Sequence, residues 1–138
     1  LADSADAELA AIAGKAIKEA RYHQQHAADW IARLGGGTDE SRRRLQRAID
    51  SLWHYSAELF ASDAVDEHAR ASGLGPRWGD LKEAWEAEMA AIFDEPGFAI
   101  PAPAPFLSTG KTGVHSEHMG HLLTELQYLQ RAYPGGAW

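Results

Sequence analysis

Leu9, Ala13, Ala16, Ala20, His23, Ala27, Trp30 and Leu34 follow one another at alternating steps of four and three. That is the repeat of a helix carrying one narrow apolar stripe. No other feature of the chain restricts its fold as much. The repeat predicts a first helix from about Asp6 to Leu34, on the order of 43 Å long at ~1.5 Å per residue. A rod of that length suits an elongated helical bundle better than a small compact globule. Gly35-Gly36-Gly37 ends it. Thr38 then offers a hydroxyl to cap a second helix, with Asp39 and Glu40 against that helix's positive end.

The stripe resumes at Leu45, Ile49, Leu52, Ser56 and Leu59, which predicts a second helix to near Ser62. A less regular stretch from Asp63 to Gly79 holds a candidate short helix before Gly73 and the breaker Gly75-Pro76. A third long helix is expected from about Asp80 to Phe93, with Trp78, Leu81, Trp85, Met89, Ile92 and Phe93 on its apolar side and Pro96-Gly97 as its stop. Pro101, Pro103 and Pro105 alternate with alanine and favour an extended, polyproline-like path. A fourth helix is expected from about Gly113 to Ala132, striped by His115, Met119, Leu122, Leu126 and Leu129. The reading is an all-α fold, one domain over residues 1–138, built from four long or medium helices. The alanines of the first stripe let a neighbour approach closely but bury little area. Trp30, Trp53, Phe60 and Trp85 are therefore expected to supply the bulk of the core.

Thirteen basic against twenty acidic residues give a net charge of −7, which repels a phosphate backbone and argues against nucleic acid. The densest basic run, Arg42-Arg43-Arg44 with Arg47, reads as the outer side of a helix beside Asp39 and Glu40, a solvated face or a protein contact. The chain has no cysteine, which removes thiolate chemistry and cysteine-based zinc sites. No stretch approaches the ~20 apolar residues of a membrane span and no signal-peptide pattern opens the chain, so a cytoplasmic location without membrane contact is expected. The chain opens on Leu1 with a helix close behind, as a processed or truncated piece would.

Helical bundles often hold two carboxylate-bridged metals, which requires Glu-x-x-His on each of two helices because residues three apart point the same way. The positions three before the seven histidines are Ala20, His23, Ser51, Val65, Thr112, His115 and His118, none acidic. The nearest approaches are Glu19, four before His23, and Glu125, four after His121. His23, inside the first stripe, reads either as a remnant ligand or as a core histidine bonded to a carboxylate such as Glu58. His115, His118 and His121 lie at steps of three, a spacing open to a zinc or proton-relay cluster and to a contact between subunits. Ser108-Thr109-Gly110-Lys111-Thr112 resembles the end of a phosphate-binding loop, but Pro105 stands where that loop needs its first glycine. Lys111, at the amino end of the fourth helix, remains an anion-binding candidate.

Three stretches carry a resemblance: Lys18-Glu19-Ala20-Arg21-Tyr22-His23; Trp30-Ile31-Ala32-Arg33-Leu34-Gly35 with Gly37-Thr38; and Gly110-Lys111 with His115-Ser116-Glu117-His118-Met119-Gly120, running on to Leu129-Gln130-Arg131-Ala132. From Leu9 to Trp138 the chain resembles the C-subunit family of the bacterial phenylacetyl-CoA epoxidase, roughly its carboxy-terminal half. The resemblance implies a ferritin-like helical bundle, completed here by association. It also implies a non-catalytic structural subunit of a multicomponent, NADPH- and O₂-dependent monooxygenase of phenylacetate degradation. In that family the di-iron centre belongs to the catalytic A subunit, the expected partner, and this chain is expected to carry no cofactor and no catalytic residue. Glu19, His23, Glu58, His115, His118 and Glu125 are expected in or beside a degenerate metal pocket, as hydrogen-bonded core groups. Stripes left bare by a partial bundle predict self-association as a dimer or higher oligomer. The alternative is a metal-binding ferritin-like oxidoreductase whose atypical centre uses Glu19, His23, Glu58 and the histidines of the fourth helix.

Overall fold

The computed structural model describes residues 1–103 and 109–137. Within them lie five α-helices: α1 (Ala7–Gly35), α2 (Asp39–Leu52), α3 (Ala64–Ala71), α4 (Lys82–Asp94) and α5 (His118–Ala132). Tighter 3₁₀ segments occupy Trp53–Phe60, Trp78–Leu81 and Gly110–Thr112. Among the described residues the sole extended pairing is an isolated bridge between Thr109 and Val114. The all-α reading holds. Residues 98–103 carry no helix or strand, and Pro105 of the expected polyproline path and Ser108 of the rejected phosphate-loop reading lie outside the described residues.

α1 starts where Asp6 accepts the N–H groups of Glu8 and Leu9, each at 2.9 Å, filling two donors that the first turn leaves open. At its far end Gly36 N–H returns to Ala32 O at 2.8 Å. Thr38 Oγ1 accepts Ser41 N–H at 3.1 Å and opens α2 as expected. The second helix does not run to Ser62, however. Ser56 Oγ donates to Trp53 O at 2.7 Å, one side chain competing for a backbone acceptor. From Trp53 onward the coil tightens, setting Trp53 5.4 Å from Trp85 and 5.7 Å from Phe93 between ring centroids.

The short α3 is fixed by a reciprocal capping box between Asp63 and Asp66. α4 closes on Gly97, whose φ of 64° is left-handed and suits glycine. Phe98 N–H there reaches back to Phe93 O at 3.0 Å, and the two rings meet edge to face at 6.4 Å. This is the six-to-one bond and apolar contact of a Schellman stop. The same turn makes the core. Ile49, Phe93 and Phe98 are buried, with Ile31, Leu45, Trp53 and Ile92 packed around them.

A strap from α2 holds this turn. Arg42 donates to Pro96 O, to Gly97 O at 2.8 Å and to Gly35 O at 3.4 Å, with its guanidinium 4.9 Å from the Phe98 ring centroid. One turn on, Gln46 both donates to Ala99 O at 3.1 Å and accepts Ala99 N–H at 3.2 Å. Arg42 therefore faces the core side of α2, whereas Arg43 and Arg44 stay outside and pair with Glu40. α1 crosses so close that a Cβ on Gly35 would lie 2.5 Å from Pro96 Cβ and 2.8 Å from the Phe98 ring.

Two expectations about the stripes need correction. α1 is tied at its ends, by Ala5 N–H to Gly73 O at 2.8 Å near one and by the Gly35 crossing at the other. Residues 14–27 between them are all exposed, so Ala16, Ala20, His23 and Ala27 are not core. Trp30, expected inside, is exposed and carries Arg33 at 5.6 Å over its ring. The last helix begins at His118 rather than near Gly113. Gly113 takes a left-handed φ of 89° and Val114 N–H turns back to Thr109 O at 3.2 Å, which ends any helical run before His115.

Candidate functional site

Glu58 belongs to the 3₁₀ segment Trp53–Phe60, in which residues three apart eclipse one another. Tyr55 and Glu58 consequently point the same way. They face Gly110, His115, Ser116, His118, Met119 and Leu122 across an open groove of about 600 Å³. Gly110 permits the close approach, since a Cβ there would lie 2.7 Å from Glu58 Oε1 and 3.3 Å from His115 Nδ1. Glu58 Oε1 also accepts Lys111 N–H at 3.1 Å. One carboxylate thus fastens the turn that delivers His115 and His118.

Lys111 is engaged on three sides. Its Nζ donates to Ala61 O at 2.8 Å, lies 3.7 Å from Asp63 Oδ2 and sits 5.6 Å over the Trp78 ring. It rides on a three-residue 3₁₀ turn ahead of α5, not on the helix's first turn, so an arriving anion would have to displace these contacts. Trp78 is placed in turn by Asp66, a buried carboxylate that accepts Asp63 N–H at 2.5 Å and Trp78 N–H at 3.0 Å. Burial pushes the Asp66 carboxyl up, but the Asp63 and Trp78 amides, the Ser62 hydroxyl and the Lys111 charge outweigh it and hold the group down at about 2.

The other candidates lie apart from the groove. Glu19 and His23 meet as an i, i+4 pair at 3.4 Å on the bare middle of α1, with side chains 79% and 66% exposed. His23 is bonded to its own helix and not to Glu58. Glu125 is exposed on α5. The structure therefore brings together Glu58, His115 and His118 and leaves Glu19, His23 and Glu125 outside. Among the described residues no three His, Cys, Asp or Glu side chains converge as a metal site would require. The donors present do not fit a carboxylate-bridged di-iron centre, which needs two Glu-x-x-His pairs and two further carboxylates on facing helices.

Sequence reasoning missed Tyr55 and Ser116 in the groove wall and Phe98 in the core. Tyr55 stands three before Glu58, a spacing that becomes a signal once the segment is read as 3₁₀. Ser116 has none, because the spacing around Gly113 reads as helix. Along α2, Asp39, Arg42, Arg43, Gln46, Arg47 and Asp50 line a shallow depression of about 530 Å³. On the same helix Arg44, and after it Arg43, hold the Glu40 carboxyl below its usual range. No helix among the described residues is long and apolar enough to cross a membrane.

Residues 1–138 match the family model described as phenylacetic acid catabolic protein. The chain is 45% identical over 138 residues to the C subunit of 1,2-phenylacetyl-CoA epoxidase from Escherichia coli (strain K12). The match covers all of this chain and 56% of that relative, so the chain spans little more than half of the relative's length.

Proposed function

The chain belongs to the phenylacetic acid catabolic protein family, whose fold is ferritin-like and helical, and from that premise we propose that it is a structural subunit of a phenylacetyl-CoA epoxidase. In this reading the chain carries no catalytic residue and no cofactor of its own. It scaffolds a catalytic A subunit that holds the di-iron centre, works in the cytoplasm and associates with a second copy of itself. The observation that carries the reading is the 45% identity, along the whole chain, to a protein named as the C subunit of that epoxidase. The physical support is the state of the two bounding helices. α1 and α5 bury none of their residues, and a 15-residue helix such as α5 is marginal in water without a packed face. A chain whose α1 is exposed through residues 14–27 and whose α5 is exposed from residue 120 on suits a role exercised through contact.

Metal analysis of the purified chain, alone and after incubation with ferrous iron, tests the division of labour beside co-purification with a di-iron A subunit. Near-zero iron on this chain and a stable complex with the A subunit are expected. About two irons per chain, or no complex, would overturn the reading, and the metal result would restore Glu19, His23, Glu58, His115, His118 and His121 as candidate ligands.

A further inference from the structure

We propose that Lys111 couples the amino end of α3 to the turn that precedes α5, so that loosening either one loosens the other.

The turn from Thr109 to Val114 keeps its own shape. Thr112 N–H reaches Thr109 O at 2.9 Å, Gly113 N–H reaches Gly110 O at 3.0 Å, and Val114 N–H closes on Thr109 O. A turn bonded to itself in this way can shift as one piece, and its place is set by what grips it from outside. Lys111 takes that grip at both ends. Glu58 accepts its backbone N–H, while Ala61 O, the Asp63 carboxylate and the Trp78 ring surround its ammonium.

Two of those three groups are set by the α3 capping box. Asp63 Oδ1 accepts Val65 N–H at 2.8 Å and Asp66 N–H at 3.2 Å, and Oδ2 of the same carboxylate lies 3.7 Å from the Lys111 ammonium. Cap and ion pair therefore share one side-chain rotamer. Asp66 completes the box by giving Oδ1 to Asp63 N–H and Oδ2 to Trp78 N–H at 3.0 Å. The indole placed by that second bond has the Lys111 ammonium over its ring, within the range of a cation–π contact. What holds the box in register thus holds the ammonium, and the ammonium steadies the box in return. Coupling of this kind is reciprocal, and here it runs through an unbroken series of bonded or touching groups.

Trp78 also lines two cavities. One, of about 350 Å³, has Tyr55, Glu58, Leu59 and Lys111 in its wall; the other, of about 500 Å³, includes Val65, Asp66 and Leu81. A displacement of the indole from either cavity reaches Lys111 and so the turn that carries His115.

Amide hydrogen exchange of the full chain, followed by nuclear magnetic resonance, tests the coupling. Lys111→Met keeps a long stem and removes the charge. It is expected to speed exchange at the Asp66 and Trp78 amides, whose bonds go to Asp63 and Asp66, by about threefold. Asp66→Asn leaves one of its two amide donors without an acceptor, and is expected to speed exchange at the Lys111 amide, which is bonded to Glu58, by a similar factor. In the double variant the increases are expected to fall short of the product of the single ones. Arg70→Ala, which breaks an ion pair with Glu67 elsewhere on α3, is expected to leave the Lys111 amide unchanged. Increases that multiply, or a Lys111 amide that answers Arg70→Ala as strongly as Asp66→Asn, overturn the coupling. If Asp66→Asn does not fold, Lys111→Met decides alone, and unchanged exchange at Asp66 and Trp78 overturns the proposal.

Discussion

Glycine to alanine at two positions of α1 should change stability in opposite directions. Gly14 and Gly35 belong to one helix, and in both cases alanine removes backbone freedom from the unfolded chain and favours the helix. Without tertiary contact that gain is ~0.5–1 kcal/mol. Nothing lies within 4 Å of a Cβ added to Gly14, so Gly14→Ala is expected to keep the whole gain. At Gly35 the new methyl would stand 2.5 Å from Pro96 Cβ and 2.8 Å from the Phe98 ring, where ordinary carbon contacts need about 3.5–4 Å. Neither neighbour can swing away, because the proline is a ring in the α4 stop and Phe98 is buried. α1 must therefore back off by about 1 Å, a strain typical of overpacking at ~1–3 kcal/mol. After subtracting the helix gain, Gly35→Ala should destabilise by about 0–2.5 kcal/mol, centred near ~1. Urea unfolding followed by far-ultraviolet circular dichroism, at constant slope, reads both values. If Gly35→Ala proved as stabilising as Gly14→Ala, the close crossing of α1 over the α4 stop would be refuted.

Arg42→Ala should cost about 1–3 kcal/mol through its lost charge-assisted bonds, and Arg42→Lys should recover little, because an ammonium cannot span three carbonyls from one plane; chemical denaturation of the pair checks this. Gln46→Ala in the Arg42→Ala background should cost less than in the wild type, since both grip the same turn, and a double-mutant cycle measures the coupling. The Asp66 carboxyl is depressed below its unfolded value near ~3.9 to about 2. Its contribution to stability is therefore present above pH ~4 and lost as the pH falls toward ~2. Asp66→Asn should be less stable at neutral pH and show a shallower acid loss across that window, read by thermal melts from pH 7 to pH 2.

Much of the local structure was legible because it depends on neighbours in the chain. The first helix was expected from about Asp6 to Leu34 and spans Ala7–Gly35; the Thr38 cap, the Pro96-Gly97 stop and the short helix before Gly73 follow from side chains acting on their own backbone. The break after Leu52 was hidden because Ser56 and Leu59 keep the α-helical spacing, while the Ser56 hydroxyl, which bonds Trp53 O, leaves no mark in that spacing. The late start of α5 was hidden for the opposite reason. His115 falls in step with Met119 and Leu122, yet it belongs to the turn shaped by Gly113. Candidate-site residues were hardest to place. Periodicity identifies an apolar face on α1 but not what covers it, so His23 reads as core while standing in the open. Arg42 lies inside a basic run that looks like surface, and its destination, three carbonyls of which two stand some fifty residues along, has no signature in the run itself.

The strap from α2 to the α4 stop has a consequence for how freely this joint can vary. Arg42 and Gln46 grip main-chain atoms of residues 96, 97 and 99, so the grip does not read the side chain at Ala99. That residue is exposed, and its replacement by most amino acids should leave the joint closed, whereas either gripping residue has few substitutes. Mutational tolerance is thus lopsided across the contact, with one partner free to drift and the other held in place. In a deep mutational scan read by folding, position 99 should be permissive and position 42 restrictive, although both belong to the same set of hydrogen bonds.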